Sequence, residues 1–427
     1  PRSPDDPAQP VPVRLYGWRQ GPVVSVAAVS IAAGFGQFGA VAALADVAEA
    51  FGEASGGASV AEQAGLSGTV LGVGLAIIRL ASLGAMPLAG LGDRRGRSGV
   101  LVACAGAGLA LVALGALSPG YWWFVAAFGL SRPFLSATTA LAQVIAGEHT
   151  ASTDRAKAVA LVAAGYGLGA ALVASVRGIA ASALGFRGTF ALALVPLVLL
   201  PLLARSMIEP ARFRAAAGAG APAGASRTSA AAALRHLGGE GRRRLVAMVV
   251  LALAAAFVTG PANSFIFVYA EGILGLPASV TAALLLVAVP TGVLGLVAGR
   301  WSADHWGRRP TAAVTLAGIG LAATLTYAGG LPTTIAGALA AVLAGYAFAP
   351  TVASLANELF PTEVRARVAG WLVGVGVIGA VAGLVTFGAL ADALDGFGTA
   401  AAVVAAPALL ATTALAFVPE TRGCELT

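Results

Sequence analysis

The sequence predicts an all-α membrane protein with twelve transmembrane helices, arranged as two related six-helix bundles. Three observations predict it. The 427-residue chain is 58% hydrophobic and 11% charged, where a soluble domain averages about 25% charged residues. Its apolar residues arrive in runs of roughly 18–25, the length that crosses a hydrocarbon core of ~30 Å. Charged motifs also recur at a nearly constant spacing in the two halves. A soluble fold of this composition would leave much hydrocarbon in water, and a bilayer removes that cost. Helices are the expected form because each backbone polar group must be satisfied within its own segment. The 57 glycines suit close helix packing.

Apolar runs bounded by charges place the first six helices near 23–45, 65–88, 99–117, 121–145, 157–183 and 188–205. Six more fall near 245–269, 279–299, 311–329, 332–356, 367–390 and 397–418. The chain thus divides into a tail (1–21), an N-terminal bundle (22–205), a linker (206–244), a C-terminal bundle (245–418) and a second tail (419–427). The linker holds Arg212, Arg214, Arg227, Arg235 and the Arg242–Arg244 run around an Ala/Gly/Pro/Ser tract. That composition reads as a flexible connection and a positive anchor.

Charge sets the expected orientation. With both termini in the cytoplasm, 22 Lys and Arg fall in cytoplasmic segments, one (Arg187) lies outside and three (Arg79, Arg132, Arg177) lie within spans. Such asymmetry orients a multi-pass protein in the cell membrane. The net charge of +7 therefore faces a lipid bilayer, and no nucleic-acid partner is expected. Cys104, Cys424 and three histidines form no disulfide or metal pattern, so no metal or cofactor is expected. A membrane enzyme would need clustered ligands or acids, and an enzyme is not expected.

The repeat is specific. Asp93-x-x-Gly96-Arg97 after the second span matches Asp304-x-x-Gly307-Arg308 after the eighth, offset by 211. Glu148 precedes Arg155-Ala156-Lys157 by seven residues, as Glu358 precedes Arg365-Ala366-Arg367, offset by 210. Glu209 and Glu420 follow the sixth and twelfth spans, offset by 211. Inverted and parallel repeats are the building plan of many transporters.

On these motifs the chain resembles the major facilitator superfamily along essentially its whole length. Glu358-Leu-Phe-Pro-Thr-Glu-Val-Arg365 and Pro419-Glu-Thr-Arg-Gly423 resemble the sugar-porter branch and the related organic-ion and metabolite:proton symporter branches. Asn263, Phe267 and Tyr269 loosely resemble the sugar-porter pattern too. Ala89 and Arg300 depart from it, standing where the family often has Gly. The resemblance implies a secondary transporter working by alternating access as a monomer. It further implies that Asp93, Arg97, Glu148, Arg155, Asp304, Arg308, Glu358 and Arg365 control conformation, through pairs that bridge the halves on the cytoplasmic side.

Arg79 and Arg132 are the leading substrate candidates. Charge at a helix centre costs at least ~2.5–3.5 kcal/mol, so it normally faces a cavity. Helical rise puts Arg79 roughly 21 Å above Asp93, and Arg132 roughly 24 Å above Glu148. Arg177 lies near the outer surface, and the three span arginines lack an obvious internal partner, Asp46 near the outer end of helix 1 being the nearest candidate. No acid lies deep in a predicted span, and the planar donors of an unpaired Arg suit a carboxylate, phosphate or sulfonate. The expected substrate is a small organic anion, bound chiefly by Arg132 and then Arg79. The alternative is structural: Arg132 bonds helix carbonyls and Gln37 or Gln143, and Arg79 and Arg177 snorkel outward. Further candidates at mid-span are Gln37, Phe134, Thr138, Tyr166, Asn263 and Tyr346.

Uptake is the favoured direction, since helix 5 lacks the Gly-Pro signature of drug antiporters. A multidrug or natural-product exporter driven by proton antiport is the alternative. A coupling proton is left open, because the acids that symporters often carry in helix 1 are absent from Ala33-Gly-Phe-Gly-Gln37.

Overall fold

The computed structural model describes residues 16–53, 59–209, 237–394 and 396–422. Eleven of its helices are long and apolar enough to cross a membrane. The ninth predicted span forms too, as Arg308–Thr326, with two arginines and four threonines diluting its apolar character. In chain order the twelve are α1 Gly21–Ala42, α2 Gly68–Arg95, α3 Arg97–Gly115, α4 Tyr121–His149, α5 Lys157–Ala180 and α6 Gly185–Arg205. The second half holds α7 Gly238–Ser264, α8 Ala278–His305, α9 Arg308–Thr326, α10 Leu331–Leu359, α11 Thr362–Ala393 and α12 Phe397–Phe417.

The two bundles use the same pairings. In the first, α1 packs on α5, α3 on α4 and α6, and α2 on α4; in the second, α7 packs on α11, α9 on α10 and α12, and α8 on α10. The bundles meet along two equivalent seams, α2 against α11 and α5 against α8. Glycine permits the first seam: a Cβ on Gly388 would run into the Gly68 carbonyl, and one on Gly72 into that of Leu384. Dispersion between closely approaching backbones replaces the hydrophobic effect as the cohesive force here.

Several features differ from the sequence expectation. Helix α7 begins at Gly238, so Arg242, Arg243 and Arg244 form its first turns instead of ending a linker. Glu240 pairs with Arg244 one turn on, and Arg243 stacks on Phe417 at 4.4 Å, which gives the run helical partners. Helix α7 also stops at Ser264, just past Pro261, and the chain resumes as a π-turn at Val268–Ile273. Proline removes one helical hydrogen bond and crowds the preceding turn. Helix α2 carries a single 3₁₀ turn at Ser82–Gly84. Arg212, Arg214, Arg227 and Arg235 lie outside the described residues.

Candidate functional site

Both described ends of the chain, Tyr16 and Arg422, lie on one face of the bundle, beside His149 and His305. On this terminal face the repeated motifs build two copies of one device. Gly96 and Gly307 adopt φ of 107° and 109°, a left-handed region that glycine enters without strain. The turn aims the first amides of the next helix at a carboxylate. Glu209 accepts from Arg97 N (2.6 Å) and Ser98 N (3.0 Å), and Glu420 accepts from Arg308 N (2.8 Å) and Arg309 N (3.0 Å). An anion at a helix N-terminus is favoured by the dipole and the free N–H groups. Burial opposes the charge on Glu420, but four backbone N–H groups outweigh it and hold this carboxyl below its ordinary range.

Each motif arginine then spans two acids of its own half. Arg97 binds Asp93 (2.9 Å) and Glu148, and Arg308 binds Glu358 (2.8 Å) and Asp304 (3.7 Å). Arg155 donates to Gly147 O (3.2 Å) and Arg365 to Phe360 O (3.3 Å), again within one half. These contacts stay within their bundles, whereas the resemblance implied pairs across the halves. Arg300 leaves its side chain 86% exposed, so its lack of resemblance to glycine costs no helix contact.

Polar links between the halves lie at the opposite, far face. Asp392 of α11 accepts from Gly68 N (2.7 Å) and Thr69 N (2.8 Å) at the start of α2. Arg177 of α5 binds Asp46 of its own half (2.6 Å) and Glu271 of the other (2.7 Å). Arg177 is 2% exposed. Of the span arginines it is therefore Arg177 that takes Asp46, and it is buried between two acids instead of snorkelling outward, while nothing local marks Glu271 as its second partner.

Below this closed end a cavity of about 290 Å³ lies between the halves. Its wall is mostly hydrocarbon, with Phe38, Ile266, Phe267, Leu284, Leu285 and Leu339 the largest apolar groups. Phe38 and Phe267 meet edge to face across the halves, with ring centroids 6.0 Å apart. Five polar side chains interrupt the wall: Tyr166, Asn263, Thr281, Thr326 and Tyr346. Asn263 and Tyr346 are exposed. The structure thus brings the candidates Tyr166, Asn263 and Tyr346 together.

Arg79 and Arg132 stand beside the cavity and not in its wall. Both interact electrostatically with Tyr166, whose side chain lines it, and Arg132 also feels Arg79. Arg132 Nη1 donates to Gln37 O (3.1 Å). The Gln37 amide donates to Leu135 O (3.0 Å) and Thr139 Oγ1 (2.9 Å), which fixes that carbonyl's surroundings. The Nε atoms of both arginines are buried without a hydrogen-bond partner. Among the described residues no carboxylate acts on either arginine. Two like charges are therefore close together, desolvated and under-bonded, an arrangement that costs free energy.

Phe134 and Thr138 do not join this group. Thr138 is fully buried and donates to Phe134 O (2.9 Å), while Phe134 packs in an apolar cluster with Leu141 and Val162. Thr281, Thr326 and Phe38 line the cavity without any prior signal, since a threonine in an apolar run looks like one bonded to its own helix.

Comparison with known proteins places this geometry. The family model described as Major Facilitator Superfamily matches residues 26–302, and the one described as Sugar (and other) transporter matches residues 221–427. No curated protein matches the chain by sequence. Among solved structures, the inward-open xylose transporter XylE from E. coli has a TM-score of 0.70 at 20% identity, covering 94% of this chain and 97% of its own. A D-xylose-proton symporter has a TM-score of 0.71 at 19% identity, covering 95% and 99%. An inward-facing bacterial homologue of the human lysosomal transporter Spinster has a TM-score of 0.64 at 15% identity, covering 93% of each chain. The shared fold, the doubled Asp-x-x-Gly-Arg device and a family match over more than half of the sequence agree: the chain belongs to the major facilitator superfamily, a family of transporters.

Proposed function

We propose that the protein is a secondary transporter of a small amphipathic organic anion, taken up across the cell membrane by alternating access. The observation that carries this reading is the pair of under-bonded arginines, Arg79 and Arg132, beside a cavity with a hydrocarbon wall. The acid group of the substrate would meet Arg132, Arg79 and the Tyr166 hydroxyl. Its apolar body would rest on Phe38, Ile266 and Leu285, with Asn263 and Tyr346 offering orienting hydrogen bonds. A free sugar is a poorer fit, since its many hydroxyls would lose water against a wall with five polar side chains. The positive-inside charge pattern puts the terminal face in the cytoplasm. On that orientation the links at the far face close the outside, and the form described is inward-facing.

The test is uptake of a radiolabelled amphipathic carboxylate into proteoliposomes, with wild type beside Arg132→Ala and Arg79→Ala. The reading expects wild-type uptake and its loss in Arg132→Ala. Full uptake in both variants would refute it. The apolar wall also favours a second reading, export of apolar compounds. That reading predicts drug resistance in expressing cells, unchanged by either substitution.

A further inference from the structure

Arg177 holds two carboxylates, one from each half. Its Nε and Nη2 grip Asp46, its own bundle's acid, through both oxygens (2.6 and 2.5 Å). Its Nη1 donates to Glu271 Oε1 (2.7 Å), and Nη2 also binds Glu271. The cluster therefore carries two negative charges against one positive, with Arg177 2%, Glu271 10% and Asp46 22% exposed. Among the described residues, no further cation comes from the elements packed against it. The helix Leu44–Phe51 adds Glu49, and the helix Val60–Ala64 adds Glu62, both exposed and both acidic. On Glu271's own turn, Tyr269 is engaged by Gly329 and Thr334. The near end of α8, from Ala278 to Val289, has no charged residue.

The excess negative charge has a place to take a proton. Thr281 Oγ1 lies within bonding distance of both Glu271 Oε1 (2.5 Å) and Ala278 O (2.9 Å). A hydroxyl has one proton and can donate to one of them at a time. With Glu271 ionised, Thr281 donates to the carboxylate. With Glu271 protonated, Thr281 can turn to Ala278 O and accept the new O–H. Both protonation states are thus satisfied without moving the backbone. Thr281 also lines the cavity, so Glu271 lies one hydroxyl behind the cavity wall.

We propose that Glu271 is the binding site of a coupling proton, which competes with Arg177 of the opposite half. A proton from water adds to the Glu271 carboxylate; the Arg177–Glu271 ion pair is lost and Arg177 stays neutralised by Asp46. The two surfaces left, a neutral ion pair and a neutral acid, can part without stranding a charge. Proton uptake and opening of the far face are then one linked equilibrium. The inference rests on the alternating-access reading, and its site is separate from the arginines proposed to bind the anion.

The test uses the full chain with Cys104→Ser and Cys424→Ser, carrying Leu285→Cys in the cavity wall as a reporter. Labelling by a membrane-impermeant thiol reagent, added from the far-face side of oriented vesicles, is followed against pH. One linked proton changes the closed-to-open equilibrium by up to about tenfold per pH unit. Wild type should label faster as pH falls. Glu271→Gln should label fast at every pH and lose the slope, while keeping its thermal shift with the anion. An unchanged slope in Glu271→Gln, or no slope in wild type, would overturn the proposal. Failure of anion binding in wild type would instead count against the substrate reading, since labelling is read without substrate.

Discussion

Asp392→Asn should open the far face. The Asp392 carboxylate from the second half sits on the N-terminus of α2 in the first, accepting from two backbone amides at 2.7 and 2.8 Å. The Thr69 hydroxyl adds a third donor. An anion so placed gains up to ~2 kcal/mol from the helix terminus in a partly buried site. Asparagine keeps one acceptor but turns an N–H₂ group toward a donor, so most of that gain is lost. A loss of ~2 kcal/mol shifts a two-state equilibrium about 30-fold. The Leu285→Cys reporter reads it directly: at neutral pH, far-side labelling should rise by about that factor. The anion affinity should fall less, because Asp392 does not line the cavity. Labelling equal to wild type would refute the reasoning, by showing that this link does not hold the face closed.

Other expectations follow from the same geometry. Gly307→Ala should lower the melting temperature more than Gly96→Ala, since a Cβ would meet Glu420 Oε2 at 2.6 Å in one case and Glu209 Oε2 at 3.3 Å in the other, both at positive φ. Arg132→Lys should weaken anion binding about tenfold in a thermal-shift titration, because the compact ammonium cannot reproduce a planar two-point grip. Glu420 supplies a pH dependence with a defined sign. Its folded-state pKa lies below the ordinary value near ~4.3, so its contribution is complete above that value and lost as pH falls through the folded one. Glu420→Gln should therefore flatten the acid limb of the melting curve and leave the neutral region's slope unchanged. Arg308→Ala should remove the ion-pair partner that Glu358 and Asp304 share, leaving Glu358 the Thr421 hydroxyl and Asp304 the exposed Arg300, and lower stability more than Arg155→Ala, whose side chain donates to the Gly147 carbonyl of its own half.

The fold was legible because a bilayer imposes length and polarity on every segment. All twelve spans formed near the apolar runs that predicted them, and the repeat spacing singled out Glu209 and Glu420 as a matched pair, though not their role as caps on the amides of the next helix. What escaped the sequence was whatever depends on tertiary proximity. Glu271 lies 94 residues from Arg177, and nothing local marks it as that arginine's partner. Thr281 and Thr326 reach the cavity because their helix faces do, which hydropathy without a moment cannot orient. Phe134 and Thr138 were credible by depth alone and turned out to face packed helices. The Arg242–Arg244 run read as linker because charge masks helix propensity, yet Glu240 one turn earlier pairs with Arg244.

The anion site is tested most directly by a thermal-shift screen of purified wild type beside Arg132→Ala and Arg79→Ala. The panel holds amphipathic carboxylates, phosphates and sulfonates, with sugars and organic cations as contrast. A ligand at 100 times its Kd stabilises by ~2.7 kcal/mol. The account predicts a shift with an amphipathic anion that disappears in Arg132→Ala and shrinks in Arg79→Ala. A shift given only by sugars or cations, and equal in all three proteins, would contradict it and make the arginine pair structural.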